Sequence, residues 1–147
     1  MNYVAYFTCN KILNLAILAW VVAQILKVPI YRYTDKRWDI KMVFGSGGMP
    51  SSHSAFVVAC ATSVGKLYGI SSPLFAISAV VAVVVMYDAS NVRRAAGEQA
   101  KVLNYMMEHW SEMKPEILEK ELKVMLGHTP FQVAAGAVLG LLIGLLA

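Results

Sequence analysis

Apolar and polar stretches alternate along the chain in a pattern of helical length. The apolar ones run over roughly Ile12–Tyr31, Ser54–Gly69, Ser72–Tyr87 and Pro130–Ala147. Each falls near or a little below the ~20 residues a helix needs to cross a bilayer. Taken alone, the second, short and carrying Ser63 and Lys66, reads as a buried helix. Taken together, the four predict a bundle. The first is expected to end at Lys27-Val28-Pro29, where proline discourages further helix. A connector follows, ending in Gly45-Ser46-Gly47-Gly48, and Ser51 or Ser52 can cap the second helix. Gly69-Ile70-Ser71-Ser72-Pro73 predicts a tight turn into the third. Beyond it lies a mixed-charge stretch in which Val102, Leu103, Met106, Met107 and Trp110 share a helical face, with Pro115 separating it from Glu116–Leu126. That stretch is expected to form a helical hairpin, inserted over 91–127, that lies on the bundle or at the membrane interface. The predicted fold is therefore all-α: a polytopic membrane helix bundle, with about four transmembrane helices plus a cytoplasmic helical hairpin, in a single domain.

Composition turns this pattern into a membrane reading. The chain is 58% hydrophobic with a mean hydropathy of +0.56, and 15% of its residues are charged, against ~25% in ordinary soluble domains. Of 13 Lys and Arg residues, five lie in Lys27–Lys41 and six in Arg93–Lys123. If every apolar run crosses once, both basic segments emerge on the same side. The positive-inside rule makes that side cytoplasmic and puts both termini outside. The net charge of +4 would also draw the protein to anionic lipid. Met1–Cys9 lacks a basic segment and no small-residue cleavage site follows, so the first helix reads as a retained span. Cys9 and Cys60 have no metal-ligand spacing and read as buried free thiols. Gly136, Gly140 and Gly144 recur every four residues, forming a smooth face for a neighbouring span or for a homodimer.

Candidate chemistry clusters at the polar ends of these helices. Gly47-Gly48-Met49-Pro50-Ser51-Ser52-His53-Ser54-Ala55 opens the second helix, and Leu126-Gly127-His128-Thr129-Pro130 opens the fourth. A helix N-terminus offers unpaired N–H groups and a positive dipole, which suit an anion. An imidazole beside that anion can move a proton near neutral pH. Lys27 at the end of the first helix, and Arg93 and Arg94 after the third, add cations at the same face. Each histidine alone would read as a cap or an interfacial residue. Two at matching helix ends, among cations, point to phosphate chemistry. Asp88, near the end of a span, is expected to pair with an arginine or lysine.

These motifs resemble the divergent branch of the type 2 phosphatidic acid phosphatase superfamily, relatives of the vanadium haloperoxidases. The resemblance runs from Gln24-Ile25-Leu26-Lys27-Val28-Pro29 to Gly136. The main superfamily carries Lys-x6-Arg-Pro, Pro-Ser-Gly-His and Ser-Arg-x5-His-x3-Asp. Pro50-Ser51-Ser52-His53 resembles the second motif, implying that His53 protonates the leaving alcohol and that Ser51 and Ser52 hold phosphate oxygens. The segment from Gly127 to Val133 resembles the end of the third, implying that His128 is the nucleophile. Lys27 resembles the first-motif lysine, with no Arg-Pro at the family spacing. Ser-Arg is missing before His128, so the displaced arginine is expected to be Arg93 or Arg94. Gln132 stands where the family has the aspartate that orients the nucleophile; it can fix a tautomer but not neutralise an imidazolium, and Asp88, Glu98 or Glu121 is then the candidate carboxylate. The resemblance implies a metal-independent phosphatase that hydrolyses a lipid phosphate or diphosphate through a phosphohistidine. It calls for no cofactor and no nucleic acid, and its partner is a membrane lipid. The alternative is the same scaffold binding a phospholipid or phosphate without turnover.

Overall fold

In the computed structural model, the described residues are 8–36, 47–110 and 127–147, with the backbone alone for residues 35, 93, 94 and 108–110. Their ordered elements are all helical, and most of the helices start with a side-chain cap. Helix α1 (Lys11–Asp35) is capped by Asn10, whose side chain accepts the Leu13 N–H at 3.1 Å. Contrary to the expected stop, α1 passes through Pro29 and ends six residues later. Pro29 lies on the exposed side of α1. The lost hydrogen bond and the ring's crowding thus fall on the outer face, where a helix can bend to accept them.

Helix α2 (Ser52–Tyr68) is capped by Ser51. Helix α3 (Pro73–Tyr87) has Ser72 as its cap, accepting the Phe75 N–H at 3.2 Å, and begins with a proline whose missing N–H would be unpaired there anyway. The chain then winds through a π-turn, Asp88–Val92, directly into α4 (Arg93–Trp110). The charged stretch therefore starts as an extension of α3. Among the described residues, α4 packs mainly on the π-turn it grows from rather than along the bundle. The second arm of the expected hairpin, Glu116–Leu126, lies outside the described residues. Helix α5 (Pro130–Gly144) closes the bundle.

α2 is the central helix, packed against α1, α3 and α5, and α1 also touches α5. The core is made of small side chains: Ala19, Ala23, Ala55 and Ala59, with Leu15 and Ile143. Small residues let helix backbones approach closely, which is how membrane helices gain contact without a hydrophobic drive between them. The glycine stripe of α5 takes this furthest. A Cβ on Gly136 would overlap the Ser51 carbonyl, one on Gly140 the Ala55 carbonyl, and one on Gly144 would lie 2.6 Å from Thr62 Cβ. Those pairings advance in the same direction along both helices, so α2 and α5 run parallel with their N-termini together. The glycine face is thus filled within the chain by α2, and a homodimer through Gly136, Gly140 and Gly144 would have to displace that helix.

The outside of the bundle is apolar. In α3 only Ala82 is buried, while Leu74, Ile77, Val80, Val83 and Val84 point outward. Lys11–Thr34 and the continuous helix Pro73–Met107 are each long and apolar enough to cross a membrane, and Pro130–Gly144 is a shorter apolar helix. Both cysteines are free; Cys60 is half-buried, and Cys9 is exposed in the turn before α1 rather than buried as expected.

Candidate functional site

The site forms where helices of both directions bring their polar ends together. Parallel packing of α2 and α5 sets Ser51 beside Gln132, and the Ser51 N–H donates to the Gln132 carbonyl at 2.9 Å. α3 returns to the same level, where the His128 N–H donates to the carbonyl of Ala89 in the π-turn, also at 2.9 Å. His128 is thereby held from two sides, by the end of α3 and the start of α5. Its side chain is almost completely buried at 1% exposure. The ring of His53, from the first turn of α2, meets it edge-on with centroids 5.9 Å apart. Lys27 is equally buried at 1%, and its charge acts on His128.

The tautomer of His128 follows from the helix cap next to it. Thr129 and Gln132 form a capping box: the Gln132 N–H donates to Thr129 Oγ1 at 3.3 Å, and Gln132 Oε1 accepts the Thr129 N–H at 3.0 Å. That second bond identifies the amide atom facing the histidine as oxygen. Oε1 lies 3.4 Å from His128 Nδ1. Facing an acceptor, Nδ1 carries the ring proton, and Nε2 is left with its lone pair. Nε2 is buried and has no hydrogen-bond partner among the described residues. Burial lowers the pKa of His128 below the ordinary histidine value; the Gln132 bond raises it, and the charges of Lys27 and His53 lower it further. The Gly48 carbonyl works weakly the other way. The balance favours a neutral ring.

The serines at the start of α2 are buried. Ser51 is completely buried, and its hydroxyl accepts both the Ser54 N–H at 3.4 Å and the Ser54 hydroxyl at 3.1 Å. Ser52, 3% exposed, begins α2. Gly48, with a φ of 84°, bends the chain just before them, a conformation that suits a residue with no Cβ.

His53, His128, Lys27, Ser51, Ser52 and Gln132 thus belong to one end of the bundle. Asp88 begins the π-turn that carries Ala89. Arg93 and Arg94 begin α4 just after that turn, with only their backbone described. Glu98 is not brought to the histidines: it is exposed on α4 and pairs with Lys101 at 3.3 Å. Glu121 lies outside the described residues. Sequence reasoning missed the carbonyls of Ala89 and Gly48, since every residue type carries one. It also missed Ser54, although a hydroxyl three residues after a serine cap is a readable signal.

An uncharacterized membrane protein, YuiD, of Bacillus subtilis (strain 168) is 44% identical to this chain over 140 residues, covering 88% of the chain and 89% of the relative. No solved structure matches. The model of the Divergent PAP2 family matches residues 8–143, which takes in every site residue described above. The chain is a membrane protein with a PAP2-like scaffold, and it belongs to the Divergent PAP2 family.

Proposed function

We propose that the protein is a multi-pass lipid phosphatase of a bacterial cytoplasmic membrane that works through a phosphohistidine, with its site at the cytoplasmic face. The observation that carries this reading is the buried His128 ring, with Nδ1 facing Gln132, Nε2 without a hydrogen-bond partner among the described residues, and the His53 ring 5.9 Å away. The substrate is a lipid phosphate or diphosphate, prenyl lipids included.

In the first step the His128 Nε2 lone pair forms an N–P bond as the P–O bond to the lipid breaks. His53 gives its proton to the departing oxygen. In the second step water attacks phosphorus and gives a proton to His53, the N–P bond breaks, and phosphate leaves. Lys27 and the N-terminal dipole of α2 sit where charge builds on the phosphoryl oxygens. Arg93 or Arg94 supplies the further cation. Such preorganised charge is usually the largest catalytic term, with one donor worth ~3–4 kcal/mol. Acid catalysis by His53 adds roughly 100- to 10,000-fold. The lowered pKa of His128 supports the nucleophile's role, because it must be unprotonated at neutral pH to attack.

The test is phosphate release from a panel of lipid phosphates and diphosphates, in detergent with EDTA. Activity should persist in chelator and vanish in His128→Ala, with His53→Ala/His128→Ala as the blank. Equal turnover by wild type and His128→Ala would sink the proposal. One observation favours a second reading, phospholipid or phosphate binding without turnover: the partner of His128 Nδ1 is a neutral amide, where the main superfamily's third motif has an aspartate. Phosphate that binds in a His128-dependent way, with no release from any lipid phosphate, would select it.

A further inference from the structure

Another buried side-chain atom, on the same helix as Lys27, has no hydrogen-bond partner among the described residues. Gln24 is 8% exposed, and its Oε1 is buried without a hydrogen bond among the described residues. It lies on α1 one turn before Lys27, about 4.5 Å further from the polar end of the bundle. Ala23, beside it in the chain, packs in the core formed with Ala55 and Ala59 of α2. An amide oxygen shut into an apolar bundle with no donor is expensive. Polar side chains inside membrane helices persist mainly where they have a partner or a ligand. The core residues next to it in the chain and on α2, Ala23, Ala55 and Ala59, carry no side-chain donor.

We propose that Gln24 is a substrate-binding residue whose amide oxygen accepts a hydrogen bond from a hydroxyl on the alcohol part of the substrate, next to the phosphate bound at Lys27 and His128. This rests on the phosphate-site reading above and adds a chemical class to it. The missing partner of an oxygen must be a donor. A second phosphate group has none to give when ionised, and an ammonium group would lie one turn from the buried Lys27 charge. A hydroxyl has neither difficulty. The favoured ligands are therefore hydroxylated phosphate monoesters, of the glycerol phosphate kind, over simple alkyl phosphates.

The experiment is calorimetric titration of the full chain in detergent with glycerol 3-phosphate and with methyl phosphate, for wild type and Gln24→Leu. Wild type should bind glycerol 3-phosphate roughly 5- to 30-fold more tightly, the worth of one hydrogen bond to a buried acceptor. Gln24→Leu should lose that preference and still bind methyl phosphate as wild type does. An unchanged preference in Gln24→Leu, or no preference in wild type that binds both, overturns the role of Gln24 and leaves the phosphate site standing. Binding of neither compound by wild type, or by the lipid pair below, overturns the phosphate site and this inference with it. Repeating the titration with 1-acylglycerol 3-phosphate and dodecyl phosphate in mixed micelles separates the sources: preference in this pair alone assigns a lipid headgroup, and preference in the soluble pair alone a free ester. Thermal unfolding adds a readout independent of ligand. Replacing an unpartnered amide by leucine should leave Tm unchanged or raise it, whereas a fall would show that the amide supports the fold and would overturn the proposal.

Discussion

Gln132→Glu should raise the pKa of His128 and change which step of turnover is slow. The substitution keeps the length of the side chain, so a carboxylate oxygen can occupy the place of Oε1, 3.0 Å from the Thr129 nitrogen and 3.4 Å from His128 Nδ1. The helix cap survives. What changes is the charge facing the ring. A hydrogen bond between neutral groups contributes about 1 kcal/mol, and one to a charged group about 1.5–3 kcal/mol. The protonated ring therefore gains about 1–2 kcal/mol, which is about one pKa unit upward. The start of α5 and the nearby Lys27 charge keep the new carboxylate ionised.

Two measurements follow. The acidic limb of the pH–rate profile reports loss of the neutral nucleophile, and it should move up by about one pH unit. The carboxylate also stabilises the cationic phosphoimidazole, so phosphohistidine should accumulate and be visible by phosphorus NMR after an alkaline quench. If the acidic limb stays where it is in a variant with wild-type Tm, the 3.4 Å contact does not control the histidine and the tautomer argument fails.

Two further outcomes test the surrounding structure. Gly136→Ala places a methyl group on the Ser51 carbonyl, which is backbone and has little room to give. It should destabilise by about 1–3 kcal/mol and abolish phosphate binding, while Val138→Ala on the exposed face of α5 should do neither, as thermal unfolding and titration would show. His128 makes stability depend on pH: its pKa is lowered in the folded state, so between that value and the ordinary ~6.5 the unfolded chain binds a proton that the folded one does not. Stability is then fully present above ~6.5 and declines as pH falls through the folded pKa, and Tm measured from pH 7.5 to 5 should drop less steeply in His128→Gln.

Helix positions were legible because membrane helices announce themselves by length and apolarity, and their starts by side-chain chemistry. Ser51, Ser72 and Thr129 all cap where polar sequence meets apolar. The expectation failed where the deciding fact was three-dimensional. Pro29 lies within α1 because its ring faces outward, and nothing in the local sequence says which way it faces. The π-turn carries α3 straight into α4, where the sequence shows only a change from apolar to charged residues. The glycine stripe was readable as a contact face but not as the face of α2, because spacing describes a surface and not its occupant.

Gln132 is where the two levels meet. Aligned to the family motif, it reads as the loss of a catalytic aspartate. In the fold it is the third residue of α5 and closes the capping box, and one oxygen serves both the helix N-terminus and the histidine ring. Glutamine and glutamate are the two residues long enough to close that box from this position. An aspartate, shorter by one methylene, would have to give up the Thr129 N–H to hold the ring. The departure from the motif is therefore tied to how α5 starts: the group that caps the helix also sets the tautomer of the histidine before it, and any change to one is felt by the other.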